Sequence, residues 1–368
     1  MQALLVGPEF HNYNDSIARA FEELDVPTAV MPFQEQAFST ARQRYWKLQS
    51  EIESDISNPL RRGVRRVGKG VFFPDWSIQP EIPKLRAYGR KLIKTLEAKK
   101  PDILIVIKGT SLLPETLRRI EKSFPSLTLA LWAQDSVTRY PIVLNGIKHY
   151  DSVFVFEPTD VEFLGKRGIE ARYLPMGYDP MIYRPLKDAP KKKIWNAVFV
   201  GEGRPDRCST LEALGKRLAN LDTRLNIGIF GDRWGQFEKR LIDSSGHRIS
   251  WAIHAHDFLP DAVNRIYNES ELVLNLHHAQ SEEGLNPRTF EIPGSGALEI
   301  VDRKSALDSM FEEGKEIVSF NSLEMLSSGI VSLLDNPGER ARIADRGHQR
   351  AMKQHTLSHR VREMLSCL

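Results

Sequence analysis

The sequence predicts an α/β protein of two Rossmann-like domains facing each other across a cleft, on three observations. Short apolar runs alternate with amphipathic stretches along nearly the whole chain, the pattern of parallel strands covered by helices. The chain has 368 residues, more than one core of roughly 100–200 residues usually holds. A charged, proline-bearing stretch, LKDAPKKKI, follows Pro185 and reads as a linker. It divides the chain into residues 1–186 and 187–354, with an amphipathic segment, 355–368, closing it.

In the first domain, ALLVG (3–7) is a candidate buried strand. DSIARAFEEL follows as a helix capped by Asp15 or Ser16, burying Ile17, Phe21 and Leu24. TAVMPF is a second strand, and Phe38, Tyr45, Leu48, Ile52 and Ile56 line one face of a helix over 34–57. The rhythm breaks over 58–83, where prolines, glycines and basic residues predict a solvated loop anchored at Val71–Phe73, or one that meets an acceptor or an anionic surface. DILIVIK (102–108), LTLALW (127–132), SVFVF (152–156) and ARYLP (171–175) then read as strands, with helices at 114–123, 139–148 and 160–167.

The second domain repeats the theme. NAVFVGEG (196–203), RLNIGIFGDRWG (224–235), ELVLNLHH (271–278), ALEIV (297–301) and EIVSF (316–320) are strands. Helices are expected at 207–220, 260–268, 287–293, 322–335 and 338–353, and over the final TLSHRVREMLSCL.

Composition narrows the function. A hydrophobic content of 41% with 27% charged residues describes an ordinary globular chain, and a net charge of +3 is too weak to imply nucleic acid by itself. Cys208 and Cys367 stand in no metal spacing, so free thiols in a reducing compartment are expected. MQALLVGPEF lacks the basic start of a signal peptide, and no apolar run approaches the roughly 20 residues that span a bilayer. A cytoplasmic protein without a transmembrane segment is the expectation.

Ligands of open parallel sheets bind beyond the carboxyl ends of the strands, which directs attention to EEGLNPRTFEIPGSGAL (282–298). Asn286-Pro287 is a good helix start, whose open amides would attract an anion, joined by the planar fork of Arg288. Thr289 continues that start. Glu291, one turn on, suits the two hydroxyls of a ribose, so the stretch fits a nucleoside diphosphate or, alternatively, a capped helix with solvated charges. Gly201 and Gly203 follow a strand and precede Arg207, either letting a phosphate approach the backbone or making a tight turn. Trp234 reads as packing. His277-His278 and His254/His256 read as polar contacts or partly buried imidazoles, and no metal site is expected.

The stretch from LNLHHAQSEEGLNPRTFEIPGSGALEIV to HTLSHRVREML resembles the spore-maturation-protein-B (CgeB-like) glycosyltransferases of the GT-B fold. The likeness is closest over about 270–365 and extends more loosely over 100–210 through PDILIVIKGTSLLPETL, YLPMGYDPMIYRP and FVGEGRPDR. It implies a nucleotide-sugar donor held by the C-terminal domain, an unknown acceptor on the N-terminal one, no metal cofactor, and a final helix (355–368) that packs back on the N-terminal domain. On the matching positions Glu291 is the ribose-binding glutamate, Asn286 with Arg288 the diphosphate motif, and Gly201, Gly203 and Arg207 the glycine loop and its arginine. Glu283 and Glu291 also satisfy the E-x(7)-E spacing of many retaining GT-B enzymes.

Transfer further needs a base for the acceptor hydroxyl. His11 and Asp135, each just after a first-domain strand, are the candidates for an inverting enzyme, and Glu283 would orient the sugar in a retaining one. Rival readings are a nucleotide-sugar epimerase, a glycosyltransferase acting on DNA bases, for which Arg61–Lys69 is the only hint of a basic groove, and a non-catalytic GT-B binding module.

Overall fold

The computed structural model describes residues 1–9, 12–33, 82–220, 224–245, 249–256, 258–278 and 281–368. His11, the helix expected over 34–57 and the basic loop as far as residue 81 lie outside the described residues. The chain divides into two units: Met1–Phe156 with Asp160–Leu174 and Met364–Leu368, and Glu157–Thr159 with Pro175–Glu363.

In the first unit, β1 (Ala3–Pro8), α1 (Tyr13–Glu22), β2 (Thr28–Phe33), α2 (Ile82–Lys99), β3 (Ile103–Ile107), α3 (Pro114–Ser123), β4 (Thr128–Trp132), α4 (Pro141–Gly146), β5 (Ser152–Val155), α5 (Pro158–Gly165) and β6 (Arg172–Tyr173) follow in order. The strands pair in parallel as β2-β1-β3-β4-β5-β6. Every residue of β1 and β3 is buried, as expected of a parallel sheet covered on both faces. Leu4, Val6, Leu104, Val106, Leu129 and Leu131 meet Leu85, Leu92 and Leu117 in one apolar core.

Local details depart from expectation. Helix α1 begins at Tyr13, after Asn12 in the left-handed region, so Asp15 and Ser16 lie inside it and neither caps it. There the Asn14 side chain ties back to the Pro8 carbonyl at 3.0 Å. Helix α2 was not anticipated, although Leu85, Tyr88, Leu92, Ile93 and Leu96 bury one face of it. The strand expected from ARYLP shrinks to Arg172 and Tyr173.

The second unit contains β7 (Trp195–Val200), α6 (Pro205–Leu218), β8 (Leu225–Phe230), α7 (Glu238–Ser245), β9 (Ile249–His254), α8 (Pro260–Asn268), β10 (Ser270–Asn275), α9 (Arg288–Gly294), β11 (Glu299–Asp302), β12 (Val318–Phe320), α10 (Leu323–Asp335), α11 (Pro337–Gln354) and the start of α12 (Leu357–Leu365). Its sheet, again parallel, runs β12-β11-β10-β7-β8-β9. Strand β9 and helix α7 lie beyond the elements expected above, since β9 is a half-buried edge strand rather than an apolar run.

The two faces of β10 and β11 differ. Leu272, Leu274 and Ile300 join Leu211, Leu214, Leu326 and Ile330 in an apolar core. Side chains alternate across a strand, so Val273, Asn275, Glu299 and Val301 point to the opposite face, where α8 and α9 pack. Two polar residues thus enter a buried strand face, and α9 sits beside them. Among the described residues, no helix is long and apolar enough to cross a membrane.

Candidate functional site

In the second unit the strand ends after β7, β8, β10 and β11 gather most of the residues singled out from sequence. Gly201 and Gly203 lie in the turn between β7 and α6. Their lack of a side chain serves packing against protein. A Cβ on Gly203 would stand 2.8 Å from the Arg233 carbonyl carbon and oxygen, and one on Gly201 would press the Phe199 ring at 3.0 Å. The Gly203 amide donates to the Asp232 carbonyl at 2.8 Å, and the Trp234 indole donates to the Gly201 carbonyl at 2.7 Å. Trp234 is buried, so it clamps the two loops together.

Arg207 stands one turn into α6. Its guanidinium donates to the carbonyls of Glu202 (3.2 Å) and Leu276 (3.0 Å) and lies over the Phe199 ring at 5.5 Å. Among the described residues no carboxylate comes within ion-pairing distance of it, and its buried Nε has no hydrogen-bond partner. Nearby acids are otherwise engaged: Glu202 pairs with Arg204 and Arg233. Burial first, then repulsion from Arg288, pulls the Arg207 guanidinium down to about 10. At neutral pH it remains a full cation, half-enclosed and beside another one.

Arg288 opens α9. The expected open amides are not there. The Thr289 amide is taken by the Asn286 carbonyl (3.1 Å) and side chain (3.3 Å), and those of Phe290 and Glu291 by the Pro287 carbonyl. Pro287, not Asn286, stands at the N-cap and Arg288 is the first helical residue, while Asn286, one position earlier, takes the Thr289 amide that was to hold an anion. Any grip on phosphate falls to the guanidinium groups.

Asn275, unremarked in the sequence, is the hub beneath this helix start. Its amide nitrogen donates to Glu299 Oε1 (2.7 Å), Asn286 Oδ1 (3.0 Å) and Thr289 Oγ1 (3.2 Å), and its oxygen accepts from Asn286 (2.7 Å). Thr289 is fully buried, and its hydroxyl fixes the helix start through Asn275. The His277 ring lies 2.9 Å from Asp302 through Nδ1 and 3.4 Å from Thr289 through Nε2, and its amide also donates to Asp302. Burial alone would raise the Asp302 carboxyl, but the bonds and charge of His277 outweigh it and leave the group low.

Glu291 is 4% exposed. The Tyr267 phenol of α8 is pushed upward by burial, pulled down by Arg288, and pushed up by the charges of Glu291 and Glu299. Arg288 and Glu291, three residues apart, lie on the same side of α9, and the charge of Arg288 reaches both Tyr267 and Arg207.

Glu283 carries a structural load. Its Oε2 accepts from both the amide (2.7 Å) and the hydroxyl (2.5 Å) of Ser305, and these bonds hold its carboxyl below the usual range. The loop around it is fixed by Glu157, which no local sequence pattern marks. Glu157, 2% exposed, accepts from the amides of Glu282 (3.1 Å) and Glu283 (2.7 Å) and from the Ser281 hydroxyl (3.2 Å). Lys304 binds the Ser281 and Glu282 carbonyls.

In the first unit Asp135 follows β4. Its oxygens accept from Arg139 (2.9 Å) and Tyr140 (2.9 Å), with Lys108 at 3.8 Å. Both oxygens are occupied by neighbours within the unit. Among the described residues no three His, Cys, Asp or Glu side chains are grouped to hold a metal ion. His254 stacks on Phe230, with ring centroids 4.7 Å apart.

Residues 206–366 match a family described as glycosyl transferase-like. No curated protein matches the chain. Solved structures similar to it include sucrose-phosphate synthase of Thermosynechococcus elongatus, 13% identical with a TM-score of 0.65, covering 100% of this chain and 98% of that one. HepE of Anabaena, solved with UDP and with UDP-glucose, is 12% identical with a TM-score of 0.61 and full coverage of both chains. A UDP-N-acetylglucosamine 2-epimerase described as putative, of Listeria monocytogenes, is 13% identical with a TM-score of 0.56, over 99% of this chain and 94% of that one. The chain has the GT-B fold.

Proposed function

We propose that the protein is a glycosyltransferase of the CgeB-like branch, moving a sugar from a nucleotide-diphosphate sugar to a hydroxyl of a cell-surface glycan, glycoprotein or small molecule. It acts in the cytoplasm and without a metal ion. The observation that carries this reading is Arg207: a half-buried cation whose partners among the described residues are carbonyls, with an Nε that none of them bonds and the charge of Arg288 acting on it. Such an arrangement is costly unless an anion completes it. A diphosphate supplies that anion, and Glu291, beyond Arg288, is then one turn away to accept from a ribose diol.

The chemistry follows from charge. As the bond between the anomeric carbon and the diphosphate oxygen breaks, negative charge grows on the leaving group. Arg207 and Arg288 are fixed where it appears, so they stabilise the transition state more than the ground state. The acceptor oxygen forms the new bond and loses its proton to a base. Asp135, held by Arg139, Tyr140 and Lys108, suits a positioning role better than that one. His11, which follows β1 in sequence, is the remaining candidate.

The test is donor hydrolysis. Incubated with a panel of nucleotide sugars and a chelator, the protein should slowly release nucleoside diphosphate from one of them. Return of an altered sugar would make it an epimerase, the activity named for the Listeria neighbour. Neither product, with no nucleotide bound, would leave only a binding module of the fold.

A further inference from the structure

The face of β10 and β11 that carries α8 and α9 holds a carboxyl the donor contacts leave unused. Glu299, the first residue of β11, is 1% exposed. Its Oε1 accepts from the Asn275 amide at 2.7 Å, while its Oε2 is buried with no hydrogen-bond partner among the described residues. No cation pairs with it there. The groups coupled to it by charge are the Tyr267 phenol of α8, Glu291 of α9, and Asp302 at the far end of β11. On β10 Asn275 is neutral and His277 is engaged with Asp302. Arg288 lies beside Tyr267, and β12 brings only Val318, Ser319 and Phe320.

An ionised carboxylate in that place would have one neutral donor and two like charges for company. A neutral acid avoids most of that cost. Burial pushes the Glu299 carboxyl well above its ordinary range, the Asn275 bond opposes this, and Asp302 and Glu291 add to it.

We propose that Glu299 is a positioning residue kept as the neutral acid, and that its bond to Asn275 sets the start of α9 and hence the donor grip. Asn275 has one amide group to divide among Glu299, Asn286 and Thr289. The amide has two hydrogens for three acceptors, and a neutral Glu299, a modest acceptor, competes for them less with Asn286 and Thr289. An anionic Glu299 would draw the amide to itself and loosen Asn286 and Thr289, which fix the position of Arg288. This inference rests on the donor reading above for its ligand, and on Glu299 alone for its protonation.

The sign of the pH effect follows. Unfolded, the chain releases this proton in the ordinary carboxyl range, whereas folded it keeps it. Wild-type stability therefore falls as pH rises above that range until the folded group itself ionises. Glu299→Gln, a neutral isostere, should lack that slope.

The experiment measures thermal unfolding of the full chain, wild type and E299Q, from pH 5 to 9, and UDP binding by calorimetry over the same range. E299Q should fold and melt higher than wild type at pH 8, by on the order of 5 °C, with the gain shrinking toward pH 5. UDP affinity of wild type should track that of E299Q across the range, because the folded group stays neutral in both, while Asn275→Ala should weaken UDP several-fold by freeing the start of α9. A pH-independent difference in melting, an E299Q chain that melts lower throughout or fails to fold, or unchanged UDP affinity in a folded Asn275→Ala chain would overturn the proposal. Absence of UDP binding to wild type at every pH would overturn the donor reading and the positioning role with it, while the melting curves alone decide whether Glu299 is neutral.

Discussion

The charged groups at the strand ends of the two units are arranged differently. After β4 in the first unit, Asp135 receives Arg139 and Tyr140 and stands near Lys108. After β7 in the second unit, Arg207 rests on two carbonyls under the charge of Arg288, and none of the described residues bonds its Nε. The first arrangement is complete without a ligand. The second is stable only at a cost, and a cost the fold retains at the end of a parallel strand points to a ligand. Charge count alone would not have separated them, since both are basic clusters around a loop.

The comparison predicts that breaking a complete arrangement costs stability, and breaking the incomplete one costs affinity. The largest effect on stability should come from acid. His355 lies buried against Arg360, accepting at Nδ1 (3.0 Å) and donating from Nε2 to the Met310 carbonyl (2.8 Å). Burial, then the charge of Arg360, depresses its imidazole from 6.5 to about 3. The unfolded chain thus takes up a proton below 6.5 that the folded chain refuses. Stability should drop as pH falls through that window, by about 3 kcal/mol at pH 4, and denaturant titrations of His355→Gln should show a shallower slope.

Next in size is Arg207→Ala, which should weaken UDP binding by about 2–3 kcal/mol, roughly 30- to 150-fold, with Arg207→Lys recovering part of it. A loss of melting temperature with unchanged affinity would place Arg207 among the complete arrangements and erase the contrast. Glu291→Ala should cost about 1–2 kcal/mol of UDP affinity through its lost diol contact. Binding of inorganic pyrophosphate, which has no ribose, should be insensitive to the same change. Smallest is Asp135→Asn: UDP affinity should not move, and stability should fall by no more than about 1 kcal/mol because the ion pairs are partly exposed.

Much of this was legible in the sequence. The strand runs ALLVG, ILIVI, LALW and LVL are apolar because parallel strands are buried on both faces, and the turn after each is readable from glycine, proline and capping residues. Helix α2 and strand β9 were not, the first adjoining a basic proline-bearing stretch and the second lying at an edge where burial is partial. At the site, Arg207, Arg288 and Glu291 could be named because each follows a strand end. The same local logic misled over the α9 amides, since the asparagine that marks the helix start also closes it to an anion. Glu157, Asn275 and Glu299 bind partners 11 to 126 positions away, a relation no local pattern carries. Asn275 and Glu299 did leave a signal, as polar residues inside otherwise apolar strands.

The most direct test is a crystal structure of the protein with UDP. The account predicts diphosphate oxygens within hydrogen-bonding distance of Arg207 Nε and the Arg288 guanidinium, and the ribose hydroxyls on Glu291. UDP bound elsewhere, or bound here with Arg207 still resting only on the Glu202 and Leu276 carbonyls, would contradict it.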